Sequence, residues 1–463
     1  MSRHPLDHIP ELAGLGTYAE AAQIGYSVDE NVRRLLRFHW VERRLMALLV
    51  ARIPAEPVWE VKCALALHQW QSAEHVDAIR NRIAEMRNPV PRLDASPDPA
   101  LDTFLDELAQ SANTAELLAG VYRIAYESLA EAYREHLAMT NPLVDQPTCR
   151  VLRIALGEID DAADWGRRAL DALIAADSGA GRVADDWSAH LAAYLNAVGG
   201  ISGDQPTGTT QDIRLARAFT AQQPDFTPRR DERFRGSYNF EFPPHEVYNT
   251  PGVPADERNL ALLCKRTLEM DVPEMMASFM AERQNESWEF YRDYSRQLWD
   301  EARHAMMGTV AFEARGVDWK REIPLNVGFA LRLNRHAEPL ERQVVLYAIE
   351  QSLMPGETGK RFEYETARAA GDELSAHFHD YDWADEVLHA QIGRRMLRRD
   401  GITSDDARER AQVVHERTWA ALEPYKSLGE QRNWWPAFVR RVLGHDSAMP
   451  EHGNAGPPRI LTE

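Results

Sequence analysis

The sequence predicts an all-α protein built as two tandem four-helix bundles joined by a long irregular segment. Three observations lead there. Apolar residues recur at helical spacing along most of the 463 residues, and strand-like alternation is scarce. Proline and glycine concentrate in one central stretch, between residues 199 and 256. Short motifs recur in the same order on either side of that stretch, which is the mark of a duplicated unit.

The first expected bundle is residues 1–198. Its helical blocks cover 29–53, 58–87, 104–139 and 147–176, with a shorter block over about 183–198. The breaks fall at Pro54-Ala55-Glu56-Pro57, Asn88-Pro89 and Asn141-Pro142, where proline removes a backbone donor and fixes φ. From Gly199-Gly200 the chain enters a stretch carrying Pro206, Pro224, Pro228, Pro243, Pro244, Pro251 and Pro254. Residues 199–256 are therefore expected to be an irregular linker or a segment covering a pocket, not a helix. Its arginines, Arg229, Arg230, Arg233 and Arg235, are expected to be solvated or paired with acids. Helical pattern resumes at 257 and runs to 443, the second bundle, and the proline-containing residues 444–463 are expected to form a loose tail.

The two halves match weakly but in order. Leu67 to His75 resembles Gln297 to His304, and Trp165-Gly-Arg-Arg-Ala-Leu resembles Ile392-Gly-Arg-Arg-Met-Leu. Only the second half keeps a full set of metal-ligating side chains. Asp300-Glu301-Ala-Arg303-His304 and Asp385-Glu386-Val-Leu-His389 each contain Glu-x-x-His. Residues three apart share a helix face, so each run presents a carboxylate and an imidazole together. Two such helices, with one Glu from each of two more, supply the ligands of a di-iron or di-manganese bundle. The expected ligands are Glu274, Glu301, His304, Glu350, Glu386 and His389. Glu269 and Glu282 are rivals for Glu274, because Pro273 suits a first helical turn and would break a continuous helix. Glu357 is a rival for Glu350.

Oxygen and nitrogen donors without thiolate suit iron or manganese, so the expectation is two iron ions, with Mn/Fe loading left open. Glu301, His304, Glu386 and His389 are the residues expected to carry the chemistry. Asp300 and Asp385 are placed to accept a hydrogen bond from the far nitrogen of a ligating imidazole, and Arg303 to pair with such an aspartate. In the first half the equivalent positions hold Glu42, Ser72, His75, Glu127, Ile159 and Ala162, of which three cannot coordinate. Glu158, Asp160 and Asp161 lie nearby and leave a single weak metal site open, but the first bundle is read as degenerate. His379 is expected to be a solvent-exposed histidine near a helix start, with lining of the site or service as a seventh ligand as the alternative. Tyr291, Tyr294, Trp299 and Trp383 could line a substrate pocket or carry an electron, though aromatics at helical spacing are more often core.

Bulk properties narrow the function class. The formal net charge of −19 and the absence of a basic stripe argue against nucleic acid or an anionic membrane as a partner. Cys63, Cys149 and Cys264 are too scattered for a zinc site or a disulfide framework, so a reducing cytoplasm is the expected home. No uncharged run approaches the ~18 residues of a membrane span. No phosphate-binding, nucleophile-elbow or dinucleotide glycine motif is present.

The two Asp-Glu-x-x-His runs, the continuation Ala-Gln-Ile-Gly393 and the intervening Glu313-Ala-Arg-Gly316 resemble the ferritin-like superfamily of di-iron carboxylate proteins, and within it a bacterial family of unknown function. The resemblance covers about 257–400 well and 29–176 only as a worn copy. It implies two ferritin-like bundles and two irons on the six ligands above. It further implies an O2-dependent oxidase or oxygenase that hydroxylates, N-oxygenates or dehydrogenates a small organic molecule. The partners implied are O2 and that molecule, with room for an electron donor and for a homodimer. A ferroxidase or iron-handling protein, and a helical scaffold with a vestigial site, are the alternatives. The double length and the long linker depart from the single short bundle of a ferritin cage subunit.

Overall fold

A computed structural model describes residues 4–204, 224–241, 244–354 and 359–449. Among them every regular element is helical, as the periodicity predicts. The contacts fall into two compact units, one of residues 1–48 and 71–223, the other of residues 49–70 and 224–463. Residues 49–70 thus belong with the second unit, although the sequence pattern groups them with the first half.

In the first unit the α-helices of five residues or more are α1 (Val28–Arg52), α2 (Trp59–Met86), α3 (Pro99–Leu108), α4 (Thr114–Leu118), α5 (Glu127–Met139), α6 (Gln146–Ala176) and α7 (Ser178–Ala197). The last turns of α1 and the first turns of α2 lie in the stretch assigned to the second unit. α3 starts where capping chemistry dictates: Pro99 fills a position needing no donor, and Asp98 accepts from the Ala100 N–H. A π-helical stretch, Ala119–Tyr126, leads into α5. It interrupts the block read from sequence as one helix over 104–139. α6 packs on the π stretch and α5.

The second unit contains α8 (Ala255–Leu268), α9 (Asp271–Glu282), α10 (Trp288–Glu313), α11 (Gly328–His336), α12 (Pro339–Ser352), α13 (Lys360–Ala369), α14 (Glu373–Arg399), α15 (Ser404–Ala420) and α16 (Trp435–Leu443). α9 packs on α10 and α12, and α14 packs on the same two helices. α8 lies against α10 and α13, and α13 against α14. Two glycines let the ligand-bearing helices approach. A Cβ on Gly308 of α10 would lie 2.4 Å from Thr267 Oγ1 and 2.7 Å from the Thr267 backbone nitrogen on α8. A Cβ on Gly393 of α14 would lie 2.7 Å from the Tyr347 ring on α12. Only the absence of a side chain permits either contact.

The segment expected to be irregular is so where described, apart from the short helix His245–Asn249. Three of the four arginines named above are paired: Arg229 with Asp225, Arg233 with Glu60 and Asp231, and Arg230 with Asp271 and Glu274. Pro206, Pro243, Glu357 and residues 450–463 of the expected tail lie outside the described residues. No described helix is long and apolar enough to cross a membrane.

Candidate metal centre

Helical spacing puts Glu301 and His304 on one face of α10, and Glu386 and His389 on one face of α14. Because α10 and α14 pack on each other, the two faces meet. The imidazole centroids of His304 and His389 are 5.8 Å apart. One ligand atom from each of Glu301, Glu350, Glu386 and His389 lies within 4.8 Å of the others, and all four residues are buried. Glu269, Glu301 and His304 form a second such group, and His304, Asp382 and Glu386 a third. Five of the six expected ligands therefore converge.

The sixth does not. Glu274 is fully buried on α9, where its carboxylate pairs with the Lys62 ammonium and lies 2.5 Å from the Arg230 guanidinium. Glu269, named as a rival from sequence, stands in the group instead. The physical reason is the break between α8 and α9. α8 ends at Leu268, Glu269 caps it, and α9 begins at Asp271 with Pro273 in its first turn. Pro273 was the sequence signal, since a proline there marks a helix start and leaves Glu269 at the end of the helix before it.

Both imidazoles are held by the aspartate that precedes the other one's helix motif. His304 Nε2 lies 3.1 Å from Asp385 Oδ2, and His389 Nε2 lies 3.4 Å from Asp300 Oδ2. Arg303 ties the two aspartates together, 2.6 Å from Asp300 and 2.7 Å from Asp385. Arg296 adds a bond to Asp300 at 2.8 Å. With the outer nitrogens fixed, both Nδ1 atoms face inward. His389 Nδ1 is 3.1 Å from Glu301 and 3.3 Å from Glu386, and His304 Nδ1 is 3.1 Å from Asp382 and 3.6 Å from Glu301. Such outer partners set the tautomer and orientation of a metal-binding imidazole.

The residues fit a metal pair on chemical grounds. His304 Nδ1, His389 Nδ1, Glu301 Oε1 and Glu386 Oε2 are buried, and the contacts they make within the group and with Asp382 at 3.1–3.6 Å lack hydrogen-bond geometry. Buried donors and acceptors in that condition are costly unless something else satisfies them. Taken as protein atoms alone, the group shares its charge unevenly. Burial, then Glu386 and Glu301, drive the Glu350 carboxyl well above its ordinary range. Burial works against Glu386, but Lys360, a hydrogen bond from Glu350 and His389 hold it well below. Burial opposes the charge on His304 too, yet Asp382, Asp385 and Glu301 raise it to about 9. Divalent cations would do what these protons do, with more charge per site.

Three features were not read from the sequence. Asp382 and Lys360 are fully buried. Lys360 Nζ stands 2.9 Å from Asp382 and 2.9 Å from Glu386, with Glu269 at 3.9 Å. One side of the group, that of Glu269, His304 and Asp382, thus already holds a fixed positive charge. Arg266, also buried, binds Asp382 at 2.6 Å and Glu363 at 2.8 Å. His379, expected in solvent, is 1 % exposed and lies 3.1 Å from Arg266. Asp382 was findable: it sits one turn before Glu386 on the same helix face. Lys360 carried no sequence signal, because a lysine beside a probable chain break usually faces water.

The third feature is a cavity of about 340 Å³ that opens on Glu269, Glu301, Glu350 and Glu386. Leu268, Val272, Leu346, Ile349 and Leu353 give it an apolar wall, and Phe240, Pro244 and His245 of the irregular segment also line it. Its aromatics are Phe240, Phe329 and Trp419; Tyr291, Tyr294, Trp299 and Trp383 do not line it. Trp299 stacks on Trp70 instead.

In the first unit the corresponding positions hold no such group. His75 lies between Glu42, 3.0 Å from Nδ1, and Glu158, 2.9 Å from Nε2, and Tyr133 donates to Glu42. The two carboxylates flank opposite edges of the ring, so they cannot share one ion with it. Ser72 bonds Tyr126, Glu127 is exposed, and Ile159 and Ala162 are buried. Among the described residues, every grouping able to hold a metal lies between Glu269 and His389. Comparison of the chain with protein-family models, with curated proteins and with solved structures finds no match.

Proposed function

We propose that the second unit is a ferritin-like four-helix carboxylate bundle that holds two iron ions and uses O2 to oxidise a small organic molecule. One observation carries the reading: two Glu-x-x-His faces meet in a buried group, each imidazole braced by the opposite helix's aspartate. The ligands are Glu269, Glu301, His304, Glu350, Glu386 and His389, with Asp382 beside His304. When bound, the ions supply the electrons and open coordination that O2 reduction needs.

The chain's own residues set the conditions. Asp300, Asp385 and Arg303 fix the imidazoles, so little reorganisation is needed when charge changes at the centre. Gln297 donates to Glu350 at 2.9 Å, which orients that carboxylate toward the group. The apolar wall of the cavity keeps water from the acids and gives a hydrocarbon surface a place to lie. That wall supports an organic substrate over Fe(II), which would be drawn by a polar path. In a monooxygenation one oxygen atom enters the product and the other leaves as water, with two electrons and two protons from an external reductant.

The test is anaerobic reconstitution with Fe(II), metal analysis, and measured O2 uptake. About two irons per chain are expected, with O2 uptake that stops once those irons are oxidised and resumes on adding a reductant. Uptake that continues with every further addition of Fe(II) would identify an iron-handling protein. Failure to bind metal would overturn the proposal.

A further inference from the structure

Arg332 on α11 is 2 % exposed and lines the cavity that opens on the acidic group. A buried guanidinium is normally matched by a carboxylate. Among the described residues none lies within ion-pairing distance of it. Its bonds go to neutral acceptors, Nη1 to Thr418 Oγ1 at 2.5 Å and Nη2 to His415 Nδ1 at 3.0 Å. Its Nε has no partner. Its carbon centre stands 5.3 Å from the Phe329 ring and 5.6 Å from the Trp419 ring, contacts that orient the plane without neutralising it. Asp271 also lines the cavity, but its two oxygens are taken by Arg230 at 3.4 Å and by the Phe329 N–H at 3.1 Å. The consequence shows in the guanidinium, which burial pushes down to about 10 against only a distant pull from Asp271.

We infer that this cavity takes a monocarboxylic acid with an apolar body, its carboxylate docked on Arg332 and its hydrocarbon on the wall of Leu268, Leu346, Ile349 and Leu353. Of the five donors on a guanidinium, two are used, so three N–H groups, the unpartnered Nε among them, are left for an incoming carboxylate. The rest of the charged lining decides where the anion sits. In the metal-free protein Glu301 and Glu386 repel it, and Lys265 is committed to Glu363 at 2.5 Å. An acid must therefore keep its head at Arg332, which leaves its carbon body to reach toward the acidic group. An amine would reverse that order and leave the arginine uncompensated. A phosphate monoester would bring a second negative charge with no second cation to meet it. As a statement about substrate, this deepens the proposed function and rests on it. As a statement about binding, it stands alone.

The experiment separates the two. Metal-free protein is titrated calorimetrically with octanoate, phenylacetate, octanol and octyl phosphate, and metal content is measured in parallel on reconstituted protein. Octanoate or phenylacetate is expected to bind at least about tenfold more tightly than octanol and octyl phosphate, and the better of the two acids tells a linear from an aromatic body. Arg332→Gln is expected to weaken the acid about thirtyfold or more while leaving metal content unchanged. Should that variant fail to fold, Ile349→Phe, which shortens the apolar wall, is expected to shift preference from octanoate to butanoate. Equal binding of octanoate and octanol to the wild-type chain would overturn the inference, as would full retention of octanoate by a folded Arg332→Gln. Acid binding without metal binding would instead overturn the proposed function and leave the anion site standing.

Discussion

Glu274 and Glu269 are five residues apart, and the structure gives them different work. Glu274 is buried between two cations, Lys62 at 0 % exposure and Arg230 with its side chain at 2 %. Burial disfavours its ionised form, yet Arg230 and Lys62 outweigh that and hold its carboxyl below the ordinary value. Glu274→Ala removes the carboxylate paired with the Lys62 ammonium, and leaves Arg230 with Asp271 at 3.4 Å. Breaking a buried pair by deleting one partner costs roughly 3–5 kcal/mol, because the other charge stays buried. In a unit of this size each 1 kcal/mol moves the midpoint by about 2–4 °C, so a fall on the order of 10 °C is expected. Metal content should not change. Glu269→Ala should do the opposite. Its side chain is 12 % exposed at a helix end, and Arg266, which it bonds at 2.7 Å, keeps Asp382 and Glu363 as partners, so the melt of the metal-free protein should fall less than that of Glu274→Ala, while one of two metals is lost. Circular dichroism melts of the metal-free variants and plasma mass spectrometry of the reconstituted ones make the comparison. If Glu274→Ala lost metal with an unchanged melt, the assignment of the two glutamates would be reversed and the ligand set above would be wrong.

Two further outcomes follow from buried charge. His75 is raised to about 9, since Glu42 and Glu158 overcome the burial that would lower it. The folded value lies above the ordinary 6.5, so its stabilisation of the first unit is complete below pH 6.5 and is lost as pH rises toward 9. The amount is about 3 kcal/mol, and chemical denaturation across that window should show it; a profile in which His75→Gln loses stability equally at pH 6 and pH 9 would refute the ion-pair account. Lys360→Met removes the fixed charge facing Glu269, Asp382 and Glu386, and the second metal should then bind at least about tenfold more tightly, as read by anaerobic Mn(II) titration. Loss of both metals in that variant would show the lysine to be a support for the ligands, not a competitor.

The helical class and the two Glu-x-x-His runs are legible in the chain, because helical periodicity and a three-residue spacing are local properties that one segment carries alone. The roles of Asp300, Asp385 and Arg303 were legible for the same reason, each lying within one turn of its ligand motif, although the crossing of each aspartate to the opposite helix was not. Tertiary structure decided what depended on distance in sequence. Pro273 hinted at Glu269, but Lys62 and Arg230, which take Glu274 out of the group, come from remote segments. Nothing near Lys360 or Arg332 in the chain signals that they are buried. His379 and the cavity wall belong to the same class. Burial and charge pairing are set by what packs on a residue from elsewhere in the fold. A spacing rule sees only the few residues on either side.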